Sequence, residues 1–142
     1  MTLHASSWAH YDLDASWIDE TTHVLRRAGA GEAAESLIVH RDPESPGLTG
    51  AQYAERQHAL LAASLPGFTL QRSVPYRLDA RDAHELAFHW TTPNGPIEQV
   101  QVHVPGPDGM ILFTATGAPR LSPQGRASFI QMLASVRIPG NP

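Results

Sequence analysis

The chain contains eight histidines, and these residues are the first place to look for chemistry. His84-Glu85-Leu86-Ala87-Phe88-His89 has the residue types of a metalloprotease motif, in which two His at i and i+4 of a helix hold zinc beside a catalytic Glu. Here the second His falls one residue late, and the segment reads as a strand, whose alternation sends His84 and His89 to opposite faces. Glu85, His89 and His103 are expected to share a strand face, and two imidazoles with a carboxylate form a metal-ligand set. Ordinary hydrogen-bonded histidines account for them better, so no metal is assigned. A serine-hydrolase elbow lacks its G-x-S-x-G. Gly106 and Gly109 do not make a phosphate loop, because Pro105 and Pro107 remove N–H donors that such a loop needs. The expectation is a protein that is not an enzyme and uses no cofactor.

Composition narrows the remaining classes. The 142 residues include no Cys, which excludes disulfides, thiol nucleophiles and cysteine-built metal sites. All 10 basic residues are Arg, so neither a Schiff-base lysine nor a P-loop lysine is present. A net charge of -4 without a basic run argues against a nucleic-acid or anionic-membrane binder. Apolar residues at 42% suit one compact domain over residues 1–142. The segment Met1 to Trp8 has neither a positive n-region nor an apolar h-region, and no stretch reaches the roughly 18 apolar residues of a membrane span. A cytoplasmic location is expected.

The elements that must position any site are punctuated by turn residues. Trp8 to Leu13, Thr21 to Arg26 and Ser36 to His40 read as strands, with a turn at Asp14-Ala15-Ser16 between the first two and a small, polar loop over Ala28 to Glu35 before the third. Thr49 and Gln52 have the spacing of a capping box, which predicts a helix to about Leu65, ended by Pro66 and Gly67. Tyr53, Gln57, Leu60, Leu61 and Ser64 fall on one stripe of it, with Leu65 alongside. Four strands follow as hairpins: Phe68 to Leu78, then a turn at Asp79-Ala80-Arg81-Asp82, His84 to Thr92, a turn at Pro93-Asn94-Gly95, Ile97 to Val104, and after Pro105 to Gly109 a strand from Met110 to Thr116. A last helix begins at Ser122, its apolar face made by Phe129, Met132, Leu133 and Val136. This order predicts an α+β domain, an antiparallel sheet with helices packed against it.

Alternation assigns the strand faces. Val100, Val102 and Val104 are expected in the core with Leu86, Phe88 and Trp90. Ile97, Gln99, Gln101 and His103 then share the second face with Glu85, Ala87, His89 and Thr91. That second face is mixed rather than charged, which suits a covered surface, the cover being a helix of this chain or of a partner.

The motif order resembles a known family. Trp17-Ile18-Asp19 with Thr21-Thr22-His23-Val24-Leu25, then His40-Arg41-Asp42, Tyr53, Glu55-Arg56-Gln57, Leu65-Pro66-Gly67-Phe68 and Phe88-His89-Trp90 are similar to the DcrB-related domain. The resemblance runs from about Leu3 to Ile138 and is nearest to the cytoplasmic branch, the effector-associated (Eag) chaperones of type VI secretion. It implies a Mog1/PsbP-like sandwich and a homodimer. Members of this branch shelter the N-terminal transmembrane helices of a secreted toxin in an apolar groove and aid its loading on the secretion spike. Carried over, the apolar groove residues are Thr22, Val24, Leu61, Leu65 and Ile97, and the groove amides are Gln57 and Gln101. Thr22 stands where the closest members carry a larger aliphatic residue. Read from the residues alone, Val24, Leu61, Leu65 and Ile97 are better explained as plain core than as groove, and for Gln57 a role in capping or bridging the sheet stands level with the groove role. Trp17 and Phe68 read as core anchors. A module of the same fold that docks a soluble partner is the alternative function.

Overall fold

The structure, a computed structural model, describes residues 2–5, 10–13, 23–27, 35–43 and 47–139, with backbone alone for the first three segments. The elements run β1 (Thr2–Ala5), β2 (His10–Leu13), β3 (His23–Arg27), β4 (Glu35–Asp42), α1 (Gly50–Ser64), β5 (Thr69–Leu78), β6 (Arg81–Thr92), β7 (Gly95–Gly106), β8 (Gly109–Gly117) and α2 (Pro123–Ser135). The fold is α+β, as the sequence predicts. Strand β1 was not expected; it pairs with β2 in a separate antiparallel ribbon. The other six strands form one antiparallel sheet in the order β3-β4-β8-β7-β6-β5. The expected turn at Asp14 to Ser16, the anchor Trp17 and residues 28–34 of the expected loop lie outside the described residues, whereas Glu35, the last residue of that loop, instead opens β4 and is buried because its carboxylate accepts from Ser122.

Local sequence explains the helix ends. Thr49 and Gln52 form the reciprocal capping box at the start of α1. At its end, Leu65 bonds back to Leu61, Gly67 takes up a φ of +65°, and the Pro66 carbonyl accepts from the Thr91 N–H of β6 at 2.8 Å. Leu-Pro-Gly-Phe is therefore a stop signal that also ties the helix end to the sheet. Ser122 caps α2 through Gly125, with Pro123 in the first turn. The Ser122 hydroxyl and N–H both donate to Glu35, which anchors the start of α2 to β4.

The registers correct the expected face assignment. Across β6 and β7, Leu86 pairs with Gln101, Phe88 with Gln99 and Trp90 with Ile97, whereas Ala87 pairs with Val100. Direct partners share a face, so Leu86, Phe88 and Trp90 lie opposite to Val100, Val102 and Val104. Each set is a core of its own. Val100, Val102, Val104, Phe113 and Ala115 pack with Phe129, Leu133, Leu121 and Ile138 around α2. Ala54, Leu86 and Phe88 pack with Leu61, Leu65, Phe68, Leu70 and Trp90 around α1. The sheet is thus sandwiched, with α1 on one face and α2 on the other. Leu60, expected on the inner stripe of α1, is instead 57% exposed, and Ala54 takes the inner position.

The outer strand β5 carries a register shift between Leu70 and Arg72 and a proline, Pro75. Both devices discourage another chain from adding to that edge.

Candidate functional site

On the α1 face, burial falls off across the sheet. Beneath the helix, Leu86, Phe88 and His103 are at most 1% exposed. Helix α1 lies over β5, β6 and β7, and the same-face side chains beyond it, Ile97, Gln99, Gln101, Thr114, Thr116, Ser36 and Ile38, are all partly exposed. On the reverse face the middle of the sheet is closed, with Val100, Val102 and Ala115 at most 2% exposed, while Leu37, Val39 and Ile111 toward its β4 side are partly exposed and apolar. The α1 face therefore has a half-open surface with amide and hydroxyl side chains, bordered by α1 and floored by β7, β8 and β4.

Five of the seven expected groove residues are described on α1, at its C-cap, or on the sheet face that it packs against. Leu61 in α1 and Leu65 at its C-cap pack against the cluster of Ala54, Leu86 and Phe88, and Gln57 is partly exposed one turn before Leu61. Ile97 and Gln101 stand on β7 with the parity of this face. Val24 lies in β3 with Ile38 of β4 as its register partner. Thr22 lies outside the described residues.

The floor is polar and ordered. Gln99 accepts from the Trp90 indole N–H at 2.7 Å and donates to Thr116 Oγ1 at 3.0 Å, a ladder spanning β6, β7 and β8. Gln101 accepts from His103 Nε2 at 2.9 Å. The sequence reading passed over Gln99, Trp90 and Thr116 as site residues. The available signal was the Gln-x-Gln spacing, which puts Gln99 beside Gln101 on one face of a strand.

Under the N-terminal half of α1 the face is closed. Tyr53 donates to Asp42 Oδ2 at 2.8 Å, Arg56 stacks over its ring, and burial together with Asp42 raises its pKa. The Tyr53 ring meets His103 edge-on at 5.1 Å. Burial, with His84 nearby, lowers the His103 pKa to about 4; burial also lowers that of His84, against the pull of Glu85. A Cβ on Gly50 would stand 2.7 Å from the His103 carbonyl oxygen, so only glycine lets α1 approach this closely.

The geometry disperses the expected metal-ligand set. His103 lies on the α1 face, whereas Glu85 and His89 lie on the α2 face with Val102 and Glu98 as their register partners. Arg72 binds Glu85 at 2.6 Å, and His89 stands 3.8 Å from Glu98, which also accepts from Leu121 N–H and Arg126. Among the described residues no three His, Asp or Glu cluster as metal ligands. No helix there is long and apolar enough to cross a membrane.

No curated protein matches the chain. Among solved structures, the crystal structure of PA94, a protein of unknown function from Pseudomonas aeruginosa, is similar with a TM-score of 0.86. The two are 21% identical over 99% of each chain, a likeness of fold. The family model described as DcrB matches residues 9–135; the chain belongs to the DcrB family.

Proposed function

We propose that this protein is a non-enzymatic chaperone or adaptor, working as a cytoplasmic homodimer, that shelters N-terminal transmembrane helices of a type VI secretion effector and aids their loading on the spike. Within α+β, the fold is read as a Mog1/PsbP-like sandwich. The observation that carries the proposal is the half-open α1 face, where Leu61, Leu65 and Ile97 border a floor of Gln99, Gln101, Thr114 and Thr116. A surface of this kind suits an apolar helix with a few small polar groups. Its apolar rim offers area, and its amides bond exposed backbone or hydroxyl groups. Covering about 600 Å² of a client at about 25 cal/mol per Å² gives on the order of 15 kcal/mol before association costs. Sequence-specific chemistry is then unnecessary. A single domain of this size has little surface with which to enclose a membrane helix, which favours the dimer as the working unit.

The test is co-expression with an effector whose N-terminus carries transmembrane segments. The expected result is that those segments stay in the soluble fraction, bound to this protein, only when it is present. Equal solubility with and without it overturns the proposal. Capture of a soluble partner on the same face would then favour the docking-module alternative.

A further inference from the structure

The N-terminal half of α1 rests on two histidines. His84 and His103 are direct partners on β6 and β7, on the face that α1 covers, and His103 is fully buried there. Gly50 and Tyr53, in the first turn of α1, close over them. A Cβ on Gly50 would stand 2.7 Å from the His103 carbonyl oxygen and 3.1 Å from the His84 nitrogen, and the Tyr53 ring meets that of His103 edge-on. Water therefore reaches His103 only when this end of the helix lifts. The far end of α1 is held separately, by the Pro66 carbonyl on the Thr91 N–H and by Leu61 and Leu65 against the cluster of Ala54, Leu86 and Phe88.

The hydrogen bonds admit one proton on the His103 ring. Gln101 Oε1 can only accept, so His103 Nε2 carries the ring proton and Nδ1 is bare. A second proton would sit on Nδ1, which is buried without a hydrogen-bond partner among the described residues, as is the Nδ1 of His84. Both a donor and a charge would then be buried uncompensated. The charged groups around the pair are already engaged. Tyr53 of α1 donates to Asp42 of β4, which also lies 3.7 Å from Arg56; on β6, Glu85 is bound by Arg72 and Asp82 by Arg77. Glu85 favours a charge on His84, but burial outweighs it. Strand β5 contributes Ser73 and Pro75, β7 Gln101 and β8 Leu112, all uncharged.

On the α2 face acid has the opposite effect. His89 stands 3.8 Å from Glu98, so a proton on it gains a carboxylate partner, and the core beneath α2 is built from Val100, Val102, Val104, Phe113, Phe129 and Leu133. We propose that the His84–His103 pair is an acid-operated latch. While neutral it seats the first turns of α1; once protonated it lifts that end of the helix from the sheet while α2 stays in place. This opens the α1 side of the groove and releases its occupant. The release rests on the chaperone reading, whereas the lifting does not.

Amide hydrogen exchange on the full chain at pH 7.5 and pH 5, corrected for the intrinsic pH dependence of exchange, tests the lifting. His103 takes up its proton at about 4 when covered, against 6.5 for an unperturbed His. The first turns of α1 should therefore lose about 10- to 30-fold in protection at pH 5, and α2 less than about threefold. His103→Gln, which takes up no proton, should abolish the difference, with melting at pH 7.5 reporting that it is folded. An equal loss in the two helices of wild type overturns the latch, whether or not the variant folds. A loss in α1 that the folded variant retains overturns it too.

Release is read with a roughly 20-residue leucine and alanine helix fused to a soluble carrier, as the fraction kept in the supernatant at each pH. That fraction should fall at pH 5 with wild type and hold with His103→Gln. No fall, or the same fall with both proteins, overturns the release. Retention at neither pH overturns the chaperone reading, and the exchange experiment still decides the latch.

Discussion

His84 and His103 are direct partners across the β6–β7 ladder, and each has a buried Nδ1 without a hydrogen-bond partner among the described residues. Their Nε2 atoms are engaged, His84 with Ser73 Oγ and His103 with Gln101 Oε1. Two imidazoles placed this way are tolerated only while neutral. A charge on either ring would be desolvated and would repel a charge on the other.

Stability is therefore expected to fall with acidification. His103 binds its proton at about 4 in the folded chain, against 6.5 for an unperturbed His. Between those values the unfolded chain holds the extra proton, so stability rises with pH there. It is fully present above about 6.5 and lost as pH drops toward 4, by about 3 kcal/mol from His103 alone at ~1.4 kcal/mol per unit. The groups facing the pair are Tyr53, Ser73 and Gln101, and Glu85 acts on His84 in the opposite sense. Urea denaturation of wild type and His103→Leu at pH 7.5 and pH 5 checks this. The variant should lose clearly less stability on acidification, and parallel losses would contradict it.

Gly50→Ala is expected to destabilise the protein even though Ala is the better helix former by roughly 1 kcal/mol. The new methyl would meet backbone on both strands beneath it, the His103 carbonyl at 2.7 Å and the His84 nitrogen at 3.1 Å. Backbone in mid-sheet cannot give way cheaply, so α1 must lift. A net loss of about 2 kcal/mol or more is expected. Thermal melting shows the sign directly, and a raised melting temperature would mean that the helix approaches the sheet less closely than described.

Tyr53→Phe separates the hydroxyl from the ring. The ring packs with Met110, Leu112 and Leu48, and the hydroxyl serves Asp42, which also lies 3.7 Å from Arg56. Losing one bond to a charged acceptor should cost about 1–3 kcal/mol. Tyr53→Ala, which also empties a buried site, should cost about 3–5 kcal/mol. Equal losses in urea denaturation would place the whole contribution in the hydroxyl.

Much of this fold was legible because its signals are local. The Thr49–Gln52 box, the Pro66-Gly67 stop and the Ser122-Pro123 start each satisfy backbone groups within one turn, and all three stand where the sequence predicts them. The pairing of faces was not legible. Alternation gives each strand two sets of residues but does not say which set aligns with which on the neighbour. That depends on turn length. The β5–β6 turn is the pair Asp79 and Ala80, with φ of +48° and +58°, a conformation usually announced by Asn or Gly. Lacking that cue, the turn was expected at 79–82 and β6 at His84, whereas β6 begins at Arg81. The β6–β7 turn is likewise two residues, Pro93 and Asn94, and it sets Leu86 against Gln101 rather than beside the valines. With a helix packed on each face of the sheet, neither set of a strand is marked as the one left in water. The expected groove residues come from the family resemblance and not from periodicity, whereas the Gln99 ladder needed side-chain contacts between strands that no periodicity encodes.

Ile97 and Val100 are three residues apart on β7 and face opposite ways, which makes them a paired test of groove against core. Val100 is 2% exposed in the α2 core, so Val100→Asp buries an unpaired charge and should unfold the domain. Ile97 is partly exposed beside Trp90 on the half-open face, where an aspartate keeps contact with water. Ile97→Asp is therefore expected to remain folded, within about 1–2 kcal/mol of wild type, while no longer holding an apolar helix, because the charge would be desolvated by the occupant. Circular dichroism melting and the co-expression assay separate the two effects. Loss of fold in Ile97→Asp would make this residue core and close the surface, whereas a folded variant that still retains the effector helices would move their binding elsewhere on the molecule.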